Sequence, residues 1–194
     1  MILRISYSFK GKGGRNMRVM IDAGHGGYDP GATSNGLKEK DLTLKLALDV
    51  AEDLERLYGI EVLLTRTEDV FISLEDRVLK ANTAEVDYFV SLHHNAGGGT
   101  GFESYIYPGY QQTQTGVMQE RLHQWLATFY QQYRVRDRGR KQADFYVLRH
   151  TLMPAILLEN LFLDTLDDAS FLKDPVFLRQ LATEIAKGIY QAVA

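Results

Sequence analysis

The chain of 194 residues is long enough to bury one sizeable core without disulfides. Its net charge of −3 gives no electrostatic case for nucleic acid or an anionic membrane, and no apolar run approaches the roughly 20 residues that span a bilayer. There is no cysteine, so any metal must be held by His, Asp and Glu.

The first sixteen residues carry Arg4, Lys10, Lys12 and Arg15 and no acid. They lack the apolar stretch and small-residue cleavage site of a signal peptide, and are expected to form a flexible basic tail over 1–16, with Met17 a candidate natural start. From residue 17 to 194 a single domain is expected. Arg18–Asp22 reads as a strand entering the glycine-rich turn IDAGHGGYDPGA. Leu42, Leu46, Val50, Leu54 and Leu57 then recur at helical spacing, with Asp41 at the N-cap position and Gly59 at the stop. Ile60–Thr65 is the next strand, and Ser73 with Asp76 predicts a capped helix to about Ala81. Val86–His93 is an apolar strand, and Gly101–Pro108 alternates like a half-buried one.

A helix is predicted from Thr113 to about Gln132, burying Val117, Leu122 and Leu126. Asp137–Asp144 reads as a polar loop, with FYVLR leading into a further strand. Ala155–Asn160 is a buried-strand candidate, and a helix closes the chain from about Pro175 to Val193. Strands alternating with helices predict an α/β domain with a largely parallel central sheet. In such sheets ligands bind beyond the carboxyl ends of the strands, and three of the predicted ends carry His25, His93 and Glu159.

Singly, these residues have bland readings. A histidine after a strand is ordinarily a turn or core residue, and Glu39 before a helix favours the helix dipole or solvent. Glu159 is less easily dismissed, because a carboxylate inside the apolar run PAILLE is expensive to bury. His93 and His94 point to opposite faces of an extended chain, so at most one faces a given pocket. His123 and His150 read as surface or packing residues. Together, two imidazoles and a carboxylate make a catalytic zinc shell with an open fourth position. His25, Glu39 and His93 as ligands and Glu159 as base would satisfy that scheme, although no short motif links them. Phosphate cradling is disfavoured, since GHGGYDPG has neither GxGxxG nor GK[ST] spacing and carries two aspartates nearby. There is no GxSxG elbow for a serine nucleophile.

Six segments in order (IDAGHGGYDPGA, NGLKEKDLTL, LLTRTEDVFISLEDRVLKAN, VSLHHNA, DRGRKQADFYVLR and MPAILLENLFL) resemble the zinc-dependent N-acetylmuramoyl-L-alanine amidases of the type-3 family. The resemblance covers about Arg18 to Ala194. It implies a single α/β domain with a central mixed, mostly parallel sheet flanked by helices. It implies Zn²⁺ held by His25, Glu39 and His93, choosing His93 over His94, with Glu159 as catalytic glutamate. The chain departs from the family pattern at His94, Leu161 and the Asp164–Thr165 pair.

The implied reaction is cleavage of the amide between N-acetylmuramic acid and the L-alanine of the stem peptide. The implied partner is peptidoglycan, with no nucleic acid, no membrane insertion and a monomeric protein. The site of action would be the cell wall, reached as a phage lysin, a sporulation-type enzyme or the excised domain of a secreted protein. A zinc peptidase acting on cell-wall peptides and a non-catalytic wall-binding relative are the rival readings. Arg66 and Arg77 are expected to be structural, pairing with neighbours such as Glu68 or Asp76. Arg138 and Asp144 border the site in sequence pattern only. Asp22 or Asp29 could bond a ligand imidazole from outside.

Overall fold

A computed structural model describes residues 14–194, so residues 1–13 of the expected basic tail lie outside it. The strands are β1 (Arg18–Ala23), β2 (Thr33–Ser34), β3 (Leu37–Lys38), β4 (Glu61–Leu64), β5 (Tyr88–Asn95), β6 (Phe102–Ile106), β7 (Asp137–Gln142) and β8 (Ala155–Phe162). The helices are α1 (Glu39–Tyr58), α2 (Leu74–Thr83), α3 (Gln114–Gln132), α4 (Tyr146–His150), α5 (Leu166–Lys173) and α6 (Pro175–Val193). Six strands form one sheet in the order β4-β1-β5-β8-β6-β7. The first four run parallel; β6 runs antiparallel to β8, and β7 follows β6. The sheet is therefore mixed and mostly parallel, as the sequence implied. A short β2–β3 hairpin stands apart from it.

Alternate residues on each strand serve different layers. Val19, Ile21, Val90, Leu92, Ile156 and Leu158 face a thick layer built from the apolar stripes of α1, α3 and α6. Met20, Phe89, Ala155 and Leu157 face a thinner layer made by α2 and α4. Because that second layer is small, it leaves strand ends on its own side open to a cleft.

Several local expectations shift. α1 starts at Glu39 rather than after an Asp41 cap, with Lys38 at the N-cap making no side-chain bond. Leu57 lies in its last turn and is exposed. α3 buries Met118, Leu122 and Leu126, which puts Val117 about 100° round the helix and in solvent. Asp137–Gln142 is not a loop but the edge strand β7, where charged side chains suit an unpaired edge. FYVLR folds mostly into the short helix α4 rather than a strand. Ser73 caps α2 as read, its Oγ accepting from the Asp76 N–H at 3.0 Å.

Candidate metal centre

The turn after β1 is held by two buried arginines. Arg66 Nε donates to the Ala23 carbonyl and its Nη2 to the Gly24 carbonyl, each at 3.0 Å. Arg77 Nη1 donates to Ala23 O at 2.6 Å and Nη2 to His25 O at 2.7 Å. These bonds fix His25 in the left-handed region at φ +61°, a conformation that a residue with a Cβ rarely adopts. Arg77 also pairs with buried Asp22 at 2.6 Å, and the hydroxyls of Ser91 and Thr65 donate to the same carboxylate. Burial opposes the charge on Asp22, but Arg77 and Ser91 outweigh it and hold its carboxyl below the usual range. Both arginines are thus structural as expected, but their partners are corrected. Arg66 meets Glu68 through its backbone carbonyl rather than its carboxylate, and Arg77 pairs with Asp22 rather than Asp76. Pairing of β1 with β4 brings 66, and the packing of α2 brings 77, against 22–25, a juxtaposition that local spacing cannot announce.

Glu39 is the first residue of α1, and its carboxylate turns inward instead of towards solvent, only 4 % exposed. It accepts backbone N–H bonds from Ala32 at 2.9 Å and His94 at 3.1 Å. Its Oε2 lies 3.1 Å from His25 Nε2, and its Oε1 lies 2.9 Å from His93 Nδ1. The three side chains offer ligand atoms within 4.8 Å of one another. Asp29 supports the group from outside, its Oδ2 lying 2.8 Å from His25 Nδ1. Burial lowers the pKa of both imidazoles, yet Glu39 prevails, aided at His25 by Asp29: His25 is raised to about 9 and His93 is also raised. Glu39 is driven well below the carboxylate range, because the two histidines outweigh its burial.

His94 points to the opposite face, as alternation required. It is buried in the thick layer with Nδ1 2.5 Å from the Asn160 carbonyl, and burial lowers its pKa to about 4. It is therefore neutral, with its ring on the opposite face of β5 from that of His93. His123 is a packing residue, stacked on Phe102 and bonded to Ser104 and Asp137, while His150 lies exposed at the end of α4 against Tyr146.

Glu159 sits within β8 rather than at its end, in register with His93 on β5 and so on the same face. Its Oε2 is buried without a hydrogen-bond partner among the described residues. Burial raises its pKa to about 7, opposed by His93 and reinforced by Glu39 and Glu103. Its side chain, His25, His93, Asp29 and Arg77 line one open cleft of about 390 Å³, whose other wall is Phe71, Ile72, Leu74, Phe145 and Tyr146. That wall went unread in the sequence, because its residues come from a loop, α2 and α4.

Two imidazoles and one carboxylate, without thiolate, suit a borderline cation such as zinc. The backbone around them is cut to fit. A Cβ on Gly24 would lie 2.3 Å from His93 Cε1, and one on Gly31 would lie 2.6 Å from both Glu39 Oε2 and His25 Cδ2. These glycines therefore leave room for the side chains of the His25, Glu39 and His93 group itself.

Comparison with known proteins gives the family and the fold. The model of the N-acetylmuramoyl-L-alanine amidase family matches residues 19–191. A sporulation-specific N-acetylmuramoyl-L-alanine amidase of Bacillus subtilis is 48% identical over 177 residues, covering 91% of this chain and 68% of that protein. An endolysin of Bacillus phage SPP1 is 49% identical over 173 residues, covering 88% and 64%. The chain thus spans about two-thirds of the length of these relatives. The crystal structure of an N-acetylmuramoyl-L-alanine amidase from Clostridium difficile 630 superposes with a TM-score of 0.80 at 34% identity, covering 91% of this chain and 94% of that one. Matched across nearly all of its described length in sequence and in fold, the chain belongs to the type-3 N-acetylmuramoyl-L-alanine amidase family.

Proposed function

We propose that this chain hydrolyses the amide between N-acetylmuramic acid and the L-alanine of the stem peptide in peptidoglycan, with Zn²⁺ held by His25, Glu39 and His93 and with Glu159 as general base. The observation that carries the reading is a carboxylate, Glu159, whose buried Oε2 has no partner among the described residues, in register with His93 of the His25–Glu39–His93 cluster, with Glu159 and both histidines opening on one cleft. Zinc there supplies a Lewis acid for the scissile carbonyl and lowers the pKa of water.

The chain's own residues do the rest. Asp29 accepts from His25 Nδ1–H and so keeps the Nε2 lone pair available. Arg66 and Arg77 hold the turn that presents His25. Glu159 takes a proton from the attacking water as its oxygen bonds to the carbonyl carbon. It then delivers that proton to the alanine nitrogen as the C–N bond breaks. The apolar wall of Phe71, Ile72, Leu74, Phe145 and Tyr146 flanks this exchange.

The site of action would be the cell wall, and no described helix is long and apolar enough to cross a membrane. Digestion of purified peptidoglycan followed by mass spectrometry tests the reading. New L-alanine amino termini and intact glycan strands are expected, sensitive to chelator. Trimmed peptides still joined to muramic acid would indicate a zinc peptidase instead, and binding without turnover or stoichiometric zinc would indicate a wall-binding relative.

A further inference from the structure

The face of the sheet that carries His93 and Glu159 does not end there. Glu159 is in direct antiparallel register with Glu103 on β6, so both side chains rise from the same face. Glu103 is 2 % exposed, and its carboxylate is saturated. Oε1 accepts from Tyr105 Oη at 2.7 Å and from Asn95 Nδ2 at 2.8 Å. Oε2 accepts from Arg138 Nε at 2.6 Å and from Lys141 Nζ. Strand spacing puts the two cations' strand about 10 Å across the sheet from Glu159. Tyr105 links this cluster to the cleft, its ring 5.3 Å from that of Phe145 on the cleft wall.

Two cations share one carboxylate, so the cluster carries a net positive charge beside the reaction centre. Its spare donors are not buried: the side chains of Arg138 and Lys141 are 25% and 33% exposed. Arg138 is braced over the Phe162 ring at 4.9 Å, and Lys141 over the Tyr105 ring at 5.7 Å. Arg138 spends its Nε on Glu103 and has only a 3.5 Å contact from Nη1 to the Thr100 carbonyl, which leaves Nη2 free among the described residues. A buried anion that holds two aromatic-braced cations with outward donors is the arrangement that recognises a carboxylate.

We infer that Arg138 and Lys141, held by Glu103, form a specificity subsite that binds a free carboxylate of the stem peptide during amide cleavage at Glu159. The inference rests on the proposed amidase reading. The glycan side of the scissile bond offers no anion there, since the lactyl carboxyl is consumed in the amide and the N-acetyl sugars are neutral. The peptide side carries the free acids, so the subsite takes the leaving peptide. Glu103 is a positioning residue in this scheme.

The test uses calorimetric binding to the zinc-loaded Glu159→Gln chain, so that turnover does not consume the ligand. The probes are a muramoyl tripeptide with free side-chain and terminal carboxylates and its amidated counterpart. The acid form is expected to bind about tenfold or more tighter, as a charge-assisted contact requires, with the advantage shrinking as salt rises. Arg138→Gln and Lys141→Met should each cut that preference, and Lys141→Arg should retain it. Equal affinities for the two probes, or a preference that survives both removals in folded variants, overturns the subsite and leaves a clamp that merely anchors the edge strand. Should Arg138→Gln or Lys141→Met fail to fold, the salt dependence of the preference in the parent chain decides alone. Failure of the wild-type chain to release alanine amino termini sinks the amidase reading instead, and that result is separate from the binding preference.

Discussion

His25 and Asp29 are bonded side chain to side chain within one turn, with Nδ1 and Oδ2 2.8 Å apart and three residues between them in sequence. The bond commits one imidazole nitrogen and directs the other at Glu39. Asp29→Ala should therefore weaken zinc binding by about 10–100-fold while leaving the fold intact. Competition with a fluorescent chelator measures it, and unchanged affinity would remove Asp29 from the metal's support.

Gly24 has no room for a side chain, because its would-be Cβ falls 2.3 Å from His93 Cε1. Gly24→Ala should push the His93 ring aside and cost at least tenfold in zinc affinity. Its circular dichroism should stay native, since the backbone there needs no left-handed conformation. Zinc titration alongside the spectrum separates lost coordination from lost fold.

Glu159→Gln should lower turnover by about 10²–10⁴-fold yet leave bound zinc near one per chain. The acid limb of kcat/KM should lie at or below about 7, because zinc bound beside the carboxyl can only lower the value that burial sets.

In the zinc-free protein Glu159 titrates at about 7 when folded, against an ordinary 4.5, so the folded state binds the extra proton between those values. Its contribution to stability is present below about 4.5 and is lost as pH rises through about 7. Glu159→Gln should consequently raise the thermal midpoint of the zinc-free chain at pH 8 more than at pH 5. Scanning calorimetry at the two pH values reads the difference, and an equal shift would contradict the buried-carboxyl account.

Arg77→Met should destabilise the chain by about 3–5 kcal/mol, because it leaves Asp22 charged and buried. Urea unfolding of the variant, set beside Asp22→Asn, Arg77→Met, distinguishes the stranded charge from lost packing: the double variant should recover part of the loss.

Period and punctuation made most of the domain readable. The stripe Leu42–Leu54, the Ser73 cap and the apolar run at Ala155 each carry their own local signal, and each forms the element read from it. His25, Glu39, His93 and Glu159 are singled out for a different reason, and the fold brings the first three within ligand reach of one another. An acid inside an apolar run is costly to bury, two histidines at strand ends complete a zinc-like donor set with Glu39, and the family resemblance picks the same residues. What stayed hidden depends on neighbours far away in sequence. The edge strand β7 reads as a loop because its alternation is masked by charge, and its anchor Glu103 lies across the sheet on β6. Arg66 and Arg77 sit beside acids in sequence, yet their partners come from β1 and the turn after it, which only the pairing of β1 with β4 and the packing of α2 supply.

His25, Glu39 and His93 come from the turn after β1, the start of α1 and the carboxyl half of β5. A cation gripping all three acts as a cross-link between distant stretches of a chain that has no cysteine to make one. The same ion would then brace the frame as well as serve the reaction, so that stripping it should loosen the opening turn and the head of α1 together, ahead of the strands beneath them.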